Sequence, residues 1–231
     1  MSESSPVLLL TGASSGIGAA SARLLAREGW RVILAARSIG KLDELAEELG
    51  GPDHAVAVEC DVAEWADQQA AVTVALEHYG RLDAAWANAG FGGQRSFLED
   101  TVGNWRDMVL TNVYGAALTI RAAMPALIEA KGHLLLTGSV AGRRAIPGSL
   151  YSATKHAVHA MGESVRQELN GTGVRVTVIA PGMVDTPFFA KVPLEAPLEP
   201  DDVARAVLFA VSQPKHVDVN EILVRPTTQP L

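Results

Sequence analysis

Short aliphatic runs alternate along the chain with longer stretches in which apolar positions recur at helical spacing. The short runs predict strands at residues 7–11, 31–36, 54–59, 82–87, 133–137, 174–180 and 221–224. The stretches between them predict helices at about 16–28, 38–49, 64–79, 101–130, 149–169 and 201–212. Strands that alternate with helices imply a parallel sheet covered by helices on both faces. Strands as continuously apolar as VTVIA, 176–180, fit burial on both sides. The expected fold is α/β, a doubly wound parallel sheet of about seven strands in one domain spanning 1–231, with no linker, internal repeat or low-complexity tract.

Composition narrows the classes of function. The 231 residues are 48% hydrophobic and 19% charged, which suits a globular core and not a disordered chain. A net charge of −7 argues against nucleic acid or an anionic membrane as the main partner. The apolar runs are far too short for a membrane span. MSESSP at the N-terminus lacks the basic and apolar regions of a signal peptide. Cys60, the single cysteine, excludes an internal disulfide and offers no metal cluster. The cytoplasm is the expected compartment, and no metal is expected.

The first predicted strand runs into TGASSGIG and then a helix. Gly12, Gly16 and Gly18 supply tight backbone geometry and room for a ligand, and the helix N-terminus offers unpaired N–H groups and partial positive charge. That combination favours a pyrophosphate; a purely structural glycine turn is the plainer alternative. The second strand ends Ala35-Ala36-Arg37-Ser38, without the carboxylate that would hold an adenosine ribose. Arg37 suits a 2′-phosphate, and so NADP(H) over NAD(H), unless it is only a solvated helix start.

YSATK places Tyr151 and Lys155 four residues apart, on one face of a helix. A phenol titrates near pH 10, so use near neutrality needs a downward shift of about 3 units. A neighbouring ammonium shifts it in that direction. Singly, Tyr151 reads as a half-buried aromatic and Lys155 as a solvated side chain; the constellation reads as a proton donor and acceptor.

TGASSGIG, Asp61 after the third strand, Asn88-Ala89-Gly90 after the fourth, Asn112, Ser139, YSATK and Pro181-Gly182 occur in the order found in the short-chain dehydrogenase/reductase family, which the chain resembles over almost its whole length. RQEL and EILVRPTTQ resemble an NADP-dependent subgroup acting on small aldehydes, ketones and hydroxy acids. The resemblance implies a single-domain Rossmann fold and an oxidoreductase. Tyr151 would be the general acid in reduction and the base in oxidation. Lys155 would lower its pKa, together with the positive nicotinamide ring, and hold the nicotinamide ribose. Ser139 would bind the substrate oxygen, and Asn112 a water linking Lys155 to solvent. Cofactor contacts would come from Gly12, Ser14, Ser15, Gly16, Ile17, Gly18 and Arg37, from Asp61 and Val62 at the adenine, and from Asn88, Ala89 and Gly90 at a ribose. Pro181, Gly182, Val184 and Thr186 would meet the carboxamide and phosphate end. For Ser139, Asn88 and Asn112 the alternatives are a strand end, a turn former and a helix kink.

The chain departs from the family pattern in places. The Ser139–Tyr151 interval is one residue short, within IPGSL, and the loop is expected to absorb the change. Ala87 replaces the first of two asparagines common at that turn. Residues 187–200 read as a short, proline-rich substrate lid, with Phe188 and Phe189 expected to pack in preference to covering substrate. Arg143 and Arg144 read as a solvated turn, with capture of a substrate carboxylate or phosphate less favoured. His156 and His159 read as solvated or packed, and Cys60 as a buried strand end.

The leading reading is an NADP(H)-dependent oxidoreductase acting on a small carbonyl or alcohol. An NADP-binding sensor without turnover is the alternative, although it would need no tuned proton donor. A nucleotide-sugar epimerase or dehydratase usually needs more chain after Gly182, and a pure scaffold leaves the density of site residues unexplained. Small residues across 101–130 and the terminal strand suggest a homodimer or homotetramer.

Overall fold

The computed structural model describes residues 5–189 and 192–229. Seven strands form one sheet in the order β3-β2-β1-β4-β5-β6-β7: β1 (Val7–Thr11), β2 (Arg31–Ala36), β3 (Ala55–Glu59), β4 (Ala84–Ala87), β5 (His133–Thr137), β6 (Arg175–Pro181) and β7 (Glu221–Val224). Every neighbouring pair is parallel. The crossovers are α1 (Gly16–Arg27), α2 (Ile39–Glu48), α3 (Trp65–Tyr79), α4 (Val102–Val109), α5 (Ala116–Ala130), α6 (Leu150–Glu168) and α7 (Pro200–Val211). The predicted fold class is what is observed.

Alternation along each strand explains the two buried layers. Leu8 and Leu10 of β1 join Leu25 of α1, Leu42 of α2 and Val207 of α7, while Val7 and Leu9 join Ala71 of α3, Ile120 of α5 and Val158 of α6. The sheet is therefore apolar on both faces, and polar chemistry is left to the strand ends. Strand order reverses between β1 and β4, so the loops after these two strands diverge and open a crevice at the carboxyl edge.

The long helix predicted over 101–130 is interrupted. Between α4 and α5, Leu110–Gly115 forms a π-helical turn. Asn112 lies on that turn and is 1% exposed. The wider turn carries one more residue than an α turn, which changes the face that later residues present. Other element boundaries fall within two residues of expectation.

Candidate active site

The turn between β1 and α1 is shaped by close backbone contacts. Gly12 has φ 68°, and a Cβ there would lie 2.8 Å from the Ala89 Cα. Gly16 also has positive φ, 52°. The helix entry at Ser15 has no side-chain cap, and the first turn of α1 carries no acidic residue. Its amides therefore retain donor capacity toward the crevice. A cavity of about 550 Å³ runs from this turn, its lining including Ser14, Ser15, Ile17 and Gly18.

Asn88 lies on the cavity wall, but its side chain braces the fold. Nδ2 donates to the Thr11 carbonyl at 3.0 Å, and Oδ1 accepts from the Thr137 hydroxyl at 3.0 Å. Thr137 Oγ1 in turn accepts from Trp86 Nε1 at 2.8 Å. Thr11 Oγ1 accepts from the Asn88 and Ala89 amides at 3.0 and 3.2 Å. These bonds tie together the ends of β1, β4 and β5. Sequence reasoning missed Thr11, Trp86 and Thr137; threonines ending two strands beside the crevice were the available signal.

Arg37 and Ser38, at the end of β2, line the same cavity. Arg37 is exposed and has no ion-pair partner among the described residues. Cys60, Asp61 and Val62 follow on the wall. Burial, helped by Asp67 and Asp61, pushes the buried Cys60 thiol up to about 12. The Asp61 carboxylate accepts from the Ala63 amide at 3.0 Å, which secures its own turn.

Tyr151 begins α6, whose entry is capped by Ser149 accepting from the Ser152 amide. Lys155 follows one turn later, 3% exposed. Its Nζ donates to the Thr137 carbonyl at 2.6 Å and lies 5.6 Å from the Tyr151 ring centroid. Burial lowers the Lys155 ammonium to about 8. Burial raises the Tyr151 phenol to about 12, with the Ser139 hydroxyl pulling it down as a hydrogen-bond partner. The downward shift expected from Lys155 does not arise from the protein's own groups, because desolvation of the phenol outweighs its neighbours. Tyr151 is accordingly a neutral donor at pH 7. Ser139 shares the cavity wall with Tyr151, and its hydroxyl accepts from the Ala141 amide at 3.1 Å and faces the Pro181 carbonyl at 3.5 Å.

The Asn112 amide is committed to a clamp. Nδ2 donates to the Phe91 carbonyl and the Thr154 hydroxyl at 2.8 and 3.1 Å, and Oδ1 accepts from the Phe91 amide at 3.0 Å. It fastens the loop after β4 to α6. A Cβ at Gly90 would sit 3.0 Å from Asn112 Oδ1 and 3.5 Å from Lys155 Nζ.

Pro181, Gly182, Val184 and Thr186 line the cavity beyond β6. Gln229 was not anticipated. Its Oε1 accepts from the Met183 amide at 2.9 Å and secures this loop. Phe188 packs, as expected, but on the cavity wall and not in the core. Its ring is 41% exposed and lies edge-on to Tyr151 at 5.4 Å, with Phe189 4.9 Å beyond. Leu198 donates its amide to the Met183 carbonyl at 2.9 Å, folding the 187–200 segment back; Ala190 and Lys191 lie outside the described residues.

Arg143 pairs with Glu221 and is committed elsewhere, while Arg144 is absent from the cavity wall. His156 is exposed and His159 is packed behind Ser139. No cluster of three metal-ligating side chains occurs among the described residues. Arg95, which the sequence reading overlooked, lines the cavity; its position in a glycine-rich loop past a strand's carboxyl end was the only clue.

The family model described as short chain dehydrogenase matches residues 6–196. An uncharacterized oxidoreductase of Staphylococcus aureus (strain USA300) is 42% identical over 224 residues, covering 95% of this chain and 96% of the relative. Among solved structures, an alcohol dehydrogenase from the archaeon Thermococcus sibiricus complexed with 5-hydroxy-NADP is 33% identical, with a TM-score of 0.90 and 98% of both chains covered. A serine dehydrogenase in a closed form complexed with NADP+ is 30% identical, with a TM-score of 0.90 and coverage of 97% and 96%. A 3-ketoacyl-(acyl-carrier-protein) reductase from Brucella melitensis complexed with NADH is 30% identical, with a TM-score of 0.88 and coverage of 95% and 96%.

Proposed function

This chain belongs to the short-chain dehydrogenase/reductase family, and from that premise we propose that it is an NADP(H)-dependent oxidoreductase interconverting a carbonyl and an alcohol, with Tyr151 as general acid and base. The observation that carries the proposal is the convergence of Tyr151, Ser139 and Lys155 on one cavity that also contains the uncapped start of α1 and the unpaired Arg37.

The residues present fit a dinucleotide. Cβ atoms at Gly12 and Gly90 would crowd the walls, and the amides opening α1 suit a pyrophosphate. Gly12, Ser14, Ser15, Gly16, Ile17 and Gly18 would hold the phosphates, and Asp61 and Val62 would border the adenine. Ala89 and Gly90 would flank a ribose, with Asn88 acting through the brace it forms. Pro181, Gly182, Val184 and Thr186 would enclose the remaining end. Arg37 beside Ala36, with no carboxylate ending β2, favours NADP(H). The NADP-bound relatives agree, and the NADH-bound reductase makes this a matter for direct measurement.

When bound, the cofactor supplies or accepts hydride. In reduction, the Tyr151 phenol gives its proton to the carbonyl oxygen, and Ser139 hydrogen-bonds the same oxygen. The Lys155 ammonium stabilises the phenolate and helps return a proton to it. Asn112 keeps the loop after β4 in place, its side chain having no spare donor for water. Phe188 screens Tyr151 from solvent.

A family assembly as homodimer or homotetramer is part of the proposal. Exposed apolar side chains at Val102 and Tyr114 and at Phe209 and Leu223 offer two faces for it, and light scattering reporting a monomer would contradict it. No helix among the described residues is long and apolar enough to cross a membrane, and we place the protein in the cytoplasm. The whole reading is tested by NADPH and NADH oxidation with a panel of small aldehydes, ketones and oxo acids. Turnover favouring NADPH supports it. Tight NADPH binding without turnover would favour the sensor alternative.

A further inference from the structure

Arg95 lines the same cavity as Arg37, from the loop after β4, whereas Arg37 follows β2. Its loop is fixed at both sides next to Tyr151. On one side, a Cβ at Gly92 would lie 2.8 Å from the Phe188 ring, and that ring stands 5.4 Å from the Tyr151 ring. On the other side, the Ser96 amide donates to the Gly148 carbonyl at 2.9 Å, three residues before Tyr151. Ser96 itself has φ 146°, a costly conformation for a residue with a side chain, and the docking onto Gly148 maintains it.

The Arg95 guanidinium has no hydrogen-bond or ion-pair partner among the described residues. Neither acid of its own loop pairs with it among the described residues, and one of them is already engaged. Asp100 accepts from Asn104 Nδ2 at 3.0 and 2.9 Å and from the Thr101 amide at 2.9 Å. Glu99 is exposed and forms no ion pair among the described residues. The same cavity wall carries Gly92, Gly93, Ile146, Ser149, Phe188 and Phe189. Among the described residues, the other charged side chains on this cavity wall are Arg37, Asp61 and Lys155, and Arg95 itself is exposed.

We propose that Arg95 binds the carboxylate of a small oxo acid or hydroxy acid whose carbonyl or alcohol faces Tyr151, so that the enzyme selects acids over neutral carbonyl compounds. The proposal rests on the oxidoreductase reading and names its substrate class. A guanidinium matches a carboxylate in planar, two-point geometry, and no acid competes for Arg95 among the described residues. The pair Arg143 and Arg144, closer to Ser139 in sequence, does not serve this purpose: Arg143 is bound to Glu221 and Arg144 lies off the wall.

The test compares 2-oxo and 3-oxo acids of four to six carbons with their methyl esters, using NADPH and the wild-type, Arg95→Gln and Arg95→Lys proteins. In parallel, propanoate, malonate and propanamide are titrated calorimetrically onto each protein in the presence of NADP+. Wild type is expected to prefer acid to ester in kcat/KM. Arg95→Gln should reduce that preference roughly 10- to 100-fold, chiefly through KM, with Arg95→Lys between the two. The carboxylates should bind wild type more tightly than the amide and lose that advantage in Arg95→Gln. An acid-to-ester ratio unchanged by Arg95→Gln, or a wild-type preference for esters, would overturn the proposal. If wild type reduces none of the compounds, the oxidoreductase reading fails for this class, and the titrations alone judge Arg95: carboxylate binding lost in Arg95→Gln upholds it, and equal binding refutes it.

Discussion

The imidazole of His159 stands directly behind Ser139, with Nε2 3.1 Å from the Ser139 carbonyl oxygen and 3.3 Å from its amide nitrogen. Gly138 and Gly142 flank the ring, and a Cβ at either position would collide with it. His159 extends the face of α6 that carries Tyr151 and Lys155 by another turn. It is a positioning residue for the loop that presents Ser139. His159→Leu is expected to lower kcat/KM about tenfold, mostly in kcat, while His159→Asn, which retains a donor, loses less. Burial holds the imidazole down to about 4, so the wild-type pH profile should show no limb from it above pH 5. Steady-state kinetics of both variants from pH 5 to 9 checks this, and unchanged kinetics in His159→Leu would remove the role.

A second buried histidine makes the fold sensitive to acid. His133 of β5 is 1% exposed, and burial, reinforced by Arg175, lowers its pKa to about 3. Below about pH 6.5 the unfolded chain binds a proton that the folded chain refuses, so stability falls as pH drops toward 3. The contribution by pH 4 is roughly 3 kcal/mol at most. His133→Leu should flatten this part of the profile. Thr177, the partner of the His133 ring, would still donate to the Val219 carbonyl. Thermal unfolding of both proteins at pH 7, 5.5 and 4 measures the difference.

Cofactor choice should turn on Arg37. Replacing it by Gln removes a cation without partners among the described residues, so the fold should be unaffected. Loss of a charge-assisted contact of about 1.5–3 kcal/mol predicts a 10- to 100-fold fall in preference for NADPH over NADH. Ratios of kcat/KM for the two cofactors report it directly. An unchanged ratio would disconnect Arg37 from the 2′-phosphate.

Lys155 sets an alkaline limit. Burial lowers its ammonium to about 8, so it is charged at pH 7 and progressively neutral above pH 8. The charge is needed when Tyr151 has given up its proton. Reduction should therefore slow as pH rises through about 8, and Lys155→Met should be slow throughout. A flat wild-type profile from pH 7 to 9.5 would contradict this role.

Much of the architecture was legible because it depends on burial and backbone geometry that composition reports directly. Runs such as VLLL and VTVIA are apolar on both faces, and TGASSGIG marks the point where β1 turns into α1. The π turn at Leu110–Gly115 was not legible, since one additional residue per turn leaves hydrophobic periodicity almost unchanged. Asn88 and Asn112 were visible as site residues, but the partners that occupy their amides come from distant strands and loops. Arg95 and Gln229 lie in segments without periodicity, and only the folding of these loops brings them to the cavity. For Tyr151, helical spacing reveals the neighbouring ammonium and not the desolvation that opposes it within the protein, against which the expected shift also counted on the positive nicotinamide ring.

The most direct test of the account is NADPH oxidation by Tyr151→Phe, using the carbonyl compound that wild type reduces best. Phenylalanine preserves the ring that packs against Phe188 and removes only the hydroxyl. The account predicts a fall in kcat of about 100- to 10,000-fold, with NADPH affinity largely retained. A variant that keeps kcat within a few-fold of wild type would contradict it.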